Sequence, residues 1–303
     1  MRIGYPCINR SIGCRGNRTF RLKSYSEKRF IDTVSDNLKC LSEILRFNVK
    51  HGILFFRISS DLVPFASHPV CTFNWRSYFR DNFVDIGKYI KEHDIRISMH
   101  PGQYTVLNAA REDAYQNCLR ELRYHSDVMD AMGLPDSDKI QIHVGGVYDN
   151  KAVSIKRFIA RYSDLDIEIK RRLVIENDER QYNISDCKLV HDETGVPILL
   201  DVFHHQLNNS DISITEALFL IRRTWHNNHG IPMVDYSQSG SASKKGVHAE
   251  SIDIDLFWRF INKTSDFDFD IMLEIKDKEL SALRALEILK DNLRLNLAQN
   301  RVC

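Results

Sequence analysis

The stretch KIQIHVGG, residues 139–146, decides the fold. It runs apolar for a few residues and then places His143 where a buried strand would end, just before a Gly-Gly turn. The arrangement recurs: a short apolar run closes on a metal-binding side chain in RISMH (96–100), RLVIE (172–176), PILLD (197–201), PMVD (232–235) and IMLE (271–274). In all, eight runs read as strands: IGYPC (3–7), ILFFRIS (53–59), RISMH (96–100), KIQIHV (139–144), RLVIEN (172–177), PILLDVF (197–203), PMVDYS (232–237) and FDIMLEI (269–275). They are rich in Ile, Val, Leu and Phe and are bounded by turn or charged residues. Helical spacing separates them, over 27–52, 78–93, 113–133, 154–162, 185–195, 214–225, 254–262 and 278–299. Strands that alternate with helices form right-handed βαβ units on a parallel sheet. Eight such units with no Pro/Gly/Ser linker predict a single α/β domain over residues 1–303, a (β/α)8 TIM barrel.

Composition narrows the class. The chain is 43% hydrophobic and 27% charged, the balance of a globular protein rather than a disordered one. No run approaches the length of a membrane span, and MRIGYPCINR lacks the apolar core of a secretory signal, so the expectation is an intracellular protein, cytoplasmic if prokaryotic. The seven cysteines are odd in number, dispersed and without a CxxC pair, which argues against a disulfide framework or a thiolate zinc site and leaves them as structural fillers. A net charge of +1 exerts no global pull on polyanions, so any such binding must come from local patches.

In a TIM barrel the C-terminal ends of all strands open on one mouth. His100, His143, Glu176, Asp201, Asp235 and Glu274 would therefore meet in a ring drawn from six strands. Four carboxylates in a partly dry site repel one another strongly, and cations relieve that repulsion. With His204 and His248 nearby in sequence the donors number eight, too many for one ion. Imidazole and carboxylate without thiolate suit Zn²⁺, Mn²⁺ or Fe²⁺, and two or three ions would use the set. Such clusters drive in-line displacement at phosphorus. The other histidines read as helix-borne or structural, His205 because it points away from His204 on an extended segment. His68, in SSDLVPFASHP, lies on the mouth side as a candidate contact to substrate or metal.

The rim loops bear on substrate. INRSIGCRGNRTFRLK (8–23) carries Arg10, Arg15, Arg18, Arg21 and Lys23 and no acid, and Lys244 and Lys245 add charge in SQSGSASKKG. A loop of one sign beside an acidic ring fits a phosphate backbone. In HPGQYTVLN (100–108) a Pro-Gly turn could thrust Gln103 and Tyr104 outward, to fill the gap left when a base is flipped. Tyr5 and Asn9 could supply a stacking face and an amide.

IGYPCIN with Arg10, FRISSDLVPFASH, SMHPGQY, IHVGG, IENDE and LDVFHH together resemble the UV damage endonuclease family, a relative of endonuclease IV, over residues 1 to about 274. The resemblance implies a barrel with up to three metal ions, Mn²⁺ foremost, acting on damaged double-stranded DNA. It implies a cut immediately 5′ to cyclobutane pyrimidine dimers or 6–4 photoproducts, leaving a 3′-hydroxyl and a 5′-phosphate. By motif, His100, His143, Glu176, Asp201, His204, His248 and Glu274 match the ligands, with Glu176, Asp201 and Glu274 the carboxylates expected to serve catalysis. Gln103 and Tyr104 match the lesion probe, and Tyr5 and Asn9 match positions lining the DNA groove. One segment departs: the family usually reads Pro-Lys-x-His-x-Ser where this chain reads Pro232-Met233-Val234-Asp235-Tyr236-Ser237. Asp235 substitutes for the histidine, but Met233 offers nothing to a hard cation, so a weak or missing third ion is expected. The alternatives are a metal-dependent sugar isomerase on the same barrel, for which the basic loop has no use, and a lesion-binding protein without catalysis. No membrane and no obligate protein partner is implied.

Overall fold

Each apolar run forms a strand inside its expected stretch: β1 Ile3–Pro6, β2 Phe55–Ile58, β3 Arg96–Met99, β4 Lys139–His143, β5 Leu173–Glu176, β6 Ile198–Asp201, β7 Met233–Tyr236 and β8 Asp270–Leu273. The computed structural model describes residues 1–148, 150–209, 211–239 and 247–290. Every strand pairs in parallel with the next, and β8 returns to β1, closing the barrel. Register sets the mouth: His143 lies opposite Glu176, and Asp201 opposite Asp235.

An outer layer of helices packs on the barrel. Glu27–Lys50 follows Ser26, whose side chain accepts from the Arg29 amide, and it buries Phe30, Val34, Leu38, Leu41, Ile44 and Leu45. Asn183 and Ser213 close capping boxes at the helices Ile184–Thr194 and Ile214–Arg222. The expected helix over 78–93 is two, Trp75–Tyr78 and Arg80–Glu92. The last described helix is Glu279–Ile288, and the rest of the expected 278–299 extends beyond the described residues. The short helix Val202–Leu207 was not expected: Asp201 caps it by accepting from the His204 amide at 2.7 Å. His205 therefore leaves the mouth by helical rotation, not by strand alternation, and its ring meets the Ile212 carbonyl at 3.1 Å.

The far end of the barrel is tied by charge. Arg96 bridges Asp270 at 2.8 Å, and Arg2 bridges Asp270 at 3.1 Å and Asp94 at 2.6 Å. One expectation about the cysteines is corrected: Cys14, in the basic loop, and Cys40, on the helix 27–50, form a disulfide with their Cα atoms 5.7 Å apart. Separation by 26 residues hides such a pair until the loop folds back on the helix. Among the described residues no helix is long and apolar enough to cross a membrane.

Candidate metal centre

The strand ends converge. Donor atoms of His100, His143 and Glu176 lie within 4.8 Å of one another, as do those of Glu176, Asp201 and His204, and those of Asp201, Asp235 and Glu274. Glu176 links the first two groups: its Oε2 lies 3.5 Å from His100 Nε2 and 4.0 Å from His143 Nε2, and its Oε1 lies 3.2 Å from His204 Nδ1. His248 joins at the edge, its Nε2 3.8 Å from Glu274 Oε2.

Backbone carbonyls aim the imidazoles. His100 Nδ1 lies 3.0 Å from the Gln141 carbonyl, and His204 Nδ1 lies 3.0 Å from that of Asn177. A carbonyl only accepts, so each Nδ1 carries a proton; on His100, which burial keeps neutral, the lone pair then sits on Nε2, the form a metal requires, whereas His204 Nδ1 also lies 3.2 Å from Glu176 Oε1 and 3.4 Å from Asp201 Oδ2, carboxylates that favour its charged ring. Burial holds His100 below its usual range, at about 4, with Glu176 opposing and Arg57 and His143 adding. Burial would raise Glu176, but His143, His204 and His100 outweigh it and hold this carboxylate well below its usual range. Burial would raise Glu274, but Arg57, with His100 and His248 adding, lowers it to about 2. Asp201 is pushed up to about 8 by burial, with the Glu176 and Glu274 charges adding and His204 opposing. Among the described residues, Asp201 Oδ2, His143 Nδ1 and His248 Nδ1 are buried without a hydrogen-bond partner. A buried carboxylate oxygen without a hydrogen bond, among crowded carboxylates and a neutral imidazole, fits divalent cations.

Two contributors were not foreseen. Arg57 of β2 crosses the barrel interior, donating through Nη2 to both Asp235 oxygens at 2.8 and 2.7 Å and through Nη1 to Glu274 Oε1. Gln141 of β4 accepts from Arg57 at 2.6 Å and donates to Glu176 at 2.8 Å and to Asp235 at 2.7 Å. Strand parity offered a signal for Gln141: it lies two residues before His143 and shares its face. The one for Arg57 was a lone charge inside the apolar run ILFFRIS.

Two expected contacts are corrected. Tyr5 offers no stacking face: its ring is fully buried, and its hydroxyl donates to Asn48 on the helix 27–50 at 2.6 Å. Its parity on β1 points outward to the helix layer, where it packs edge-on against Phe56. Asn9 is buried too, and its amide serves Tyr5 and the amides of Ser11 and Ile12, shaping the loop instead of facing a ligand. Arg10 is exposed on that loop, whose backbone is anchored by Glu279 through the Arg10 amide at 2.9 Å and the Ser11 hydroxyl at 2.7 Å. His68 is exposed outside the three donor groups and lines a separate groove with Arg120 and Arg123. Lys244 and Lys245 lie outside the described residues.

Gln103 and Tyr104 stand on the rim, Tyr104 85% exposed. Their loop is clamped to the one after β4: Asn108 donates to the Gly146 carbonyl at 2.8 Å, accepts from the Gly146 amide at 3.2 Å, and meets the Tyr182 hydroxyl at 3.3 Å. Beside them a groove of about 700 Å³, lined by Tyr104, Tyr148, Arg111, Arg180 and His143, opens next to the donor ring.

Residues 1–300 match the family model described as UV-endonuclease UvdE. The chain is 36% identical over 293 residues to a UV DNA damage endonuclease of Clostridium perfringens, covering 96% of this chain and 71% of that one. It is 33% identical over 294 residues to one from Bacillus cereus, covering 94% and 93%. The crystal structure of SacUVDE superposes with a TM-score of 0.92 at 47% identity, covering 96% and 98%. Endonuclease IV from Thermus thermophilus, with a TM-score of 0.57 at 14% identity over 84% and 94%, shares the fold. With this match over nearly its whole length, the chain belongs to the UV-endonuclease UvdE family.

Proposed function

We propose that this protein nicks double-stranded DNA immediately 5′ to UV photoproducts, cyclobutane pyrimidine dimers and 6–4 photoproducts, leaving a 3′-hydroxyl and a 5′-phosphate. By family the chain is a UV DNA damage endonuclease. The cut position, the metal and the residue roles are our reading. The observation that carries it is the convergence of seven donors, His100, His143, Glu176, Asp201, His204, His248 and Glu274, on one mouth, where the buried Asp201 Oδ2 has no hydrogen bond among the described residues. Divalent ions, Mn²⁺ foremost, would be held by these side chains; when bound they supply an acidified water and offset charge that develops on phosphate oxygens.

The chain's own residues do the rest. Glu176 and Asp201 present carboxylates that burial and neighbours fix in place, and Glu274 is braced by Arg57. Gln141 holds His100 in the tautomer that leaves Nε2 free, and Asn177 and Glu176 orient the His204 ring. Arg10 and Arg15, exposed on the first rim loop, meet the phosphate backbone. Gln103 and Tyr104 enter the opened stack, and the groove between Tyr104 and Tyr148 takes an extruded base. Damage lowers the stacking and pairing cost of extrusion, which makes the lesion the favoured target.

A nicking assay on a UV-irradiated, end-labelled duplex, with Mn²⁺ and after chelation, tests the proposal. Expected are Mn²⁺-dependent nicks one phosphate 5′ to the lesion with ends that ligase reseals. Nicks elsewhere, unligatable ends or metal-independent cleavage would reject it.

A further inference from the structure

The third donor group differs from the other two, because it already holds a cation. Asp201, Asp235 and Glu274 lie close together, yet the Arg57 guanidinium sits against two of them. Both Asp235 oxygens accept from Arg57 Nη2, and Oδ2 accepts from Gln141 as well. Glu274 gives Oε1 to Arg57 and keeps Oε2 turned toward His248. Asp201 gives Oδ1 to the His204 amide, while its Oδ2 lies 3.4 Å from His204 Nδ1 and has no hydrogen-bond partner among the described residues. One carboxylate of the trio is thus satisfied by protein donors on both oxygens, and the other two, Glu274 and Asp201, each keep one oxygen without a hydrogen bond among the described residues.

We propose that Arg57 is the built-in cation of this group: its guanidinium takes the place of a third ion, Asp235 is a positioning group rather than a ligand, and the centre takes two divalent ions. This rests on the metal-dependent reading above and refines it.

The chemistry supports a permanent occupant. A guanidinium keeps its charge at any pH the protein meets, and its planar fork suits carboxylates. Arg57 is almost fully buried, and its side chain reaches from β2 to β7, β8 and Gln141 of β4, so packing as well as charge holds it there. An ion bound by Asp235 would have to displace two nitrogen donors and then lie beside a fixed positive charge. Charge balance agrees: four carboxylates, Glu176, Asp201, Asp235 and Glu274, against one guanidinium and two divalent ions come close to neutrality before substrate adds its own phosphate. The bracing also has a direction. By engaging only Oε1 of Glu274, Arg57 leaves Oε2 facing His248, and by engaging Gln141 through its carbonyl it turns the Gln141 amide onto Glu176. Arg57 thereby orients carboxylates in two donor groups without touching substrate.

Metal content separates the outcomes. Bound Mn²⁺ per chain is measured by equilibrium dialysis and elemental analysis on the wild type and on Asp235→Asn, Asp201→Asn and Arg57→Met proteins, with circular dichroism as the check on folding. The wild type should bind two equivalents, and Asp235→Asn should bind the same two with unchanged affinity. Asp201→Asn should lose at least one. A folded Arg57→Met protein should bind a third, because Asp235 and Glu274 then face a solvent cation. Three equivalents in the wild type, loss of one in Asp235→Asn, or an unchanged two in folded Arg57→Met would each overturn the proposal while leaving the metal-dependent reading intact. No bound Mn²⁺ in the wild type would instead reject that reading. If Arg57→Met fails to fold, the Asp235→Asn arm decides alone.

Discussion

Gly145→Ala should damage the protein by an amount the local geometry fixes. Gly145 has a φ of 115°, a backbone region that L side chains rarely adopt. Forcing alanine into it costs about 1–2 kcal/mol. The added Cβ would collide with Asn108 Oδ1 and lie 3.1 Å from Asn108 Cγ and Val106 Cβ. Asn108 is buried and held at both ends by Gly146, so it cannot retreat without giving up those hydrogen bonds, at about 1 kcal/mol each. The expected loss is about 3–4 kcal/mol, read as a shift in the urea midpoint at constant slope. Gly102→Ala is the control in the same rim loop: a Cβ there meets no described residue within 4 Å, and the cost should stay within about 0.5 kcal/mol. The same clamp sets the Gln103–Tyr104 loop, so Gly145→Ala should also weaken nicking of UV-irradiated DNA while Mn²⁺ affinity changes little. A loss below about 1 kcal/mol, or one equal to that of Gly102→Ala, would refute the clamp.

Other outcomes follow from the charges and the disulfide. Asp201 is pushed up to about 8, above the value of an unfolded aspartate. Its cost to the fold is therefore absent near pH 4 and grows toward pH 8, so the fall in stability of the metal-free protein between pH 4 and 8 should be smaller in Asp201→Asn, and Mn²⁺-induced stabilisation should be reduced; an unchanged pH profile would contradict this. His204 is raised to about 11, Asp201 and Glu176 outweighing burial. It therefore contributes stability in the metal-free protein that is fully present below its unfolded value and is lost as pH rises toward about 11. A metal must displace that proton, so Mn²⁺ affinity should rise ~10-fold per pH unit between pH 6 and 8 for each proton released; calorimetry in buffers of different ionisation enthalpy checks it, and pH-independent affinity would count against His204 as a ligand. Cys14→Ser with Cys40→Ser should cost about 3 kcal/mol in non-reducing urea melts, and reductant should lower the wild type by a similar amount without affecting the double variant.

Much of this architecture was legible because the barrel imposes one rule eight times. Every strand lies inside its apolar run, and β4, β5 and β6 end on His143, Glu176 and Asp201 as their patterns implied. What escaped was set by long-range contact. Tyr5 looks like a rim residue beside Asn9 and Arg10, but its direction is settled by Asn48, 43 residues away. Arg57 reads as a charge interrupting a strand until the barrel closes and Asp235 and Glu274 come within reach, 178 and 217 residues further along. The disulfide is similar in kind: sparse, odd-numbered cysteines conceal a bridge made only when the basic loop packs on its helix. Val202–Leu207 was missed because β6 runs without a break in hydrophobicity into Val202 and Phe203, and only the Asp201 cap marks the change.

The central claim is that the mouth of this barrel is a metal centre, and anomalous diffraction at the manganese edge from Mn²⁺-soaked crystals tests it most directly. We expect two peaks, bracketed by His100, His143, Glu176, Asp201, His204, His248 and Glu274, with none against Asp235, whose oxygens stay on Arg57. An empty mouth at saturating Mn²⁺, or peaks only at surface carboxylates, would contradict the account.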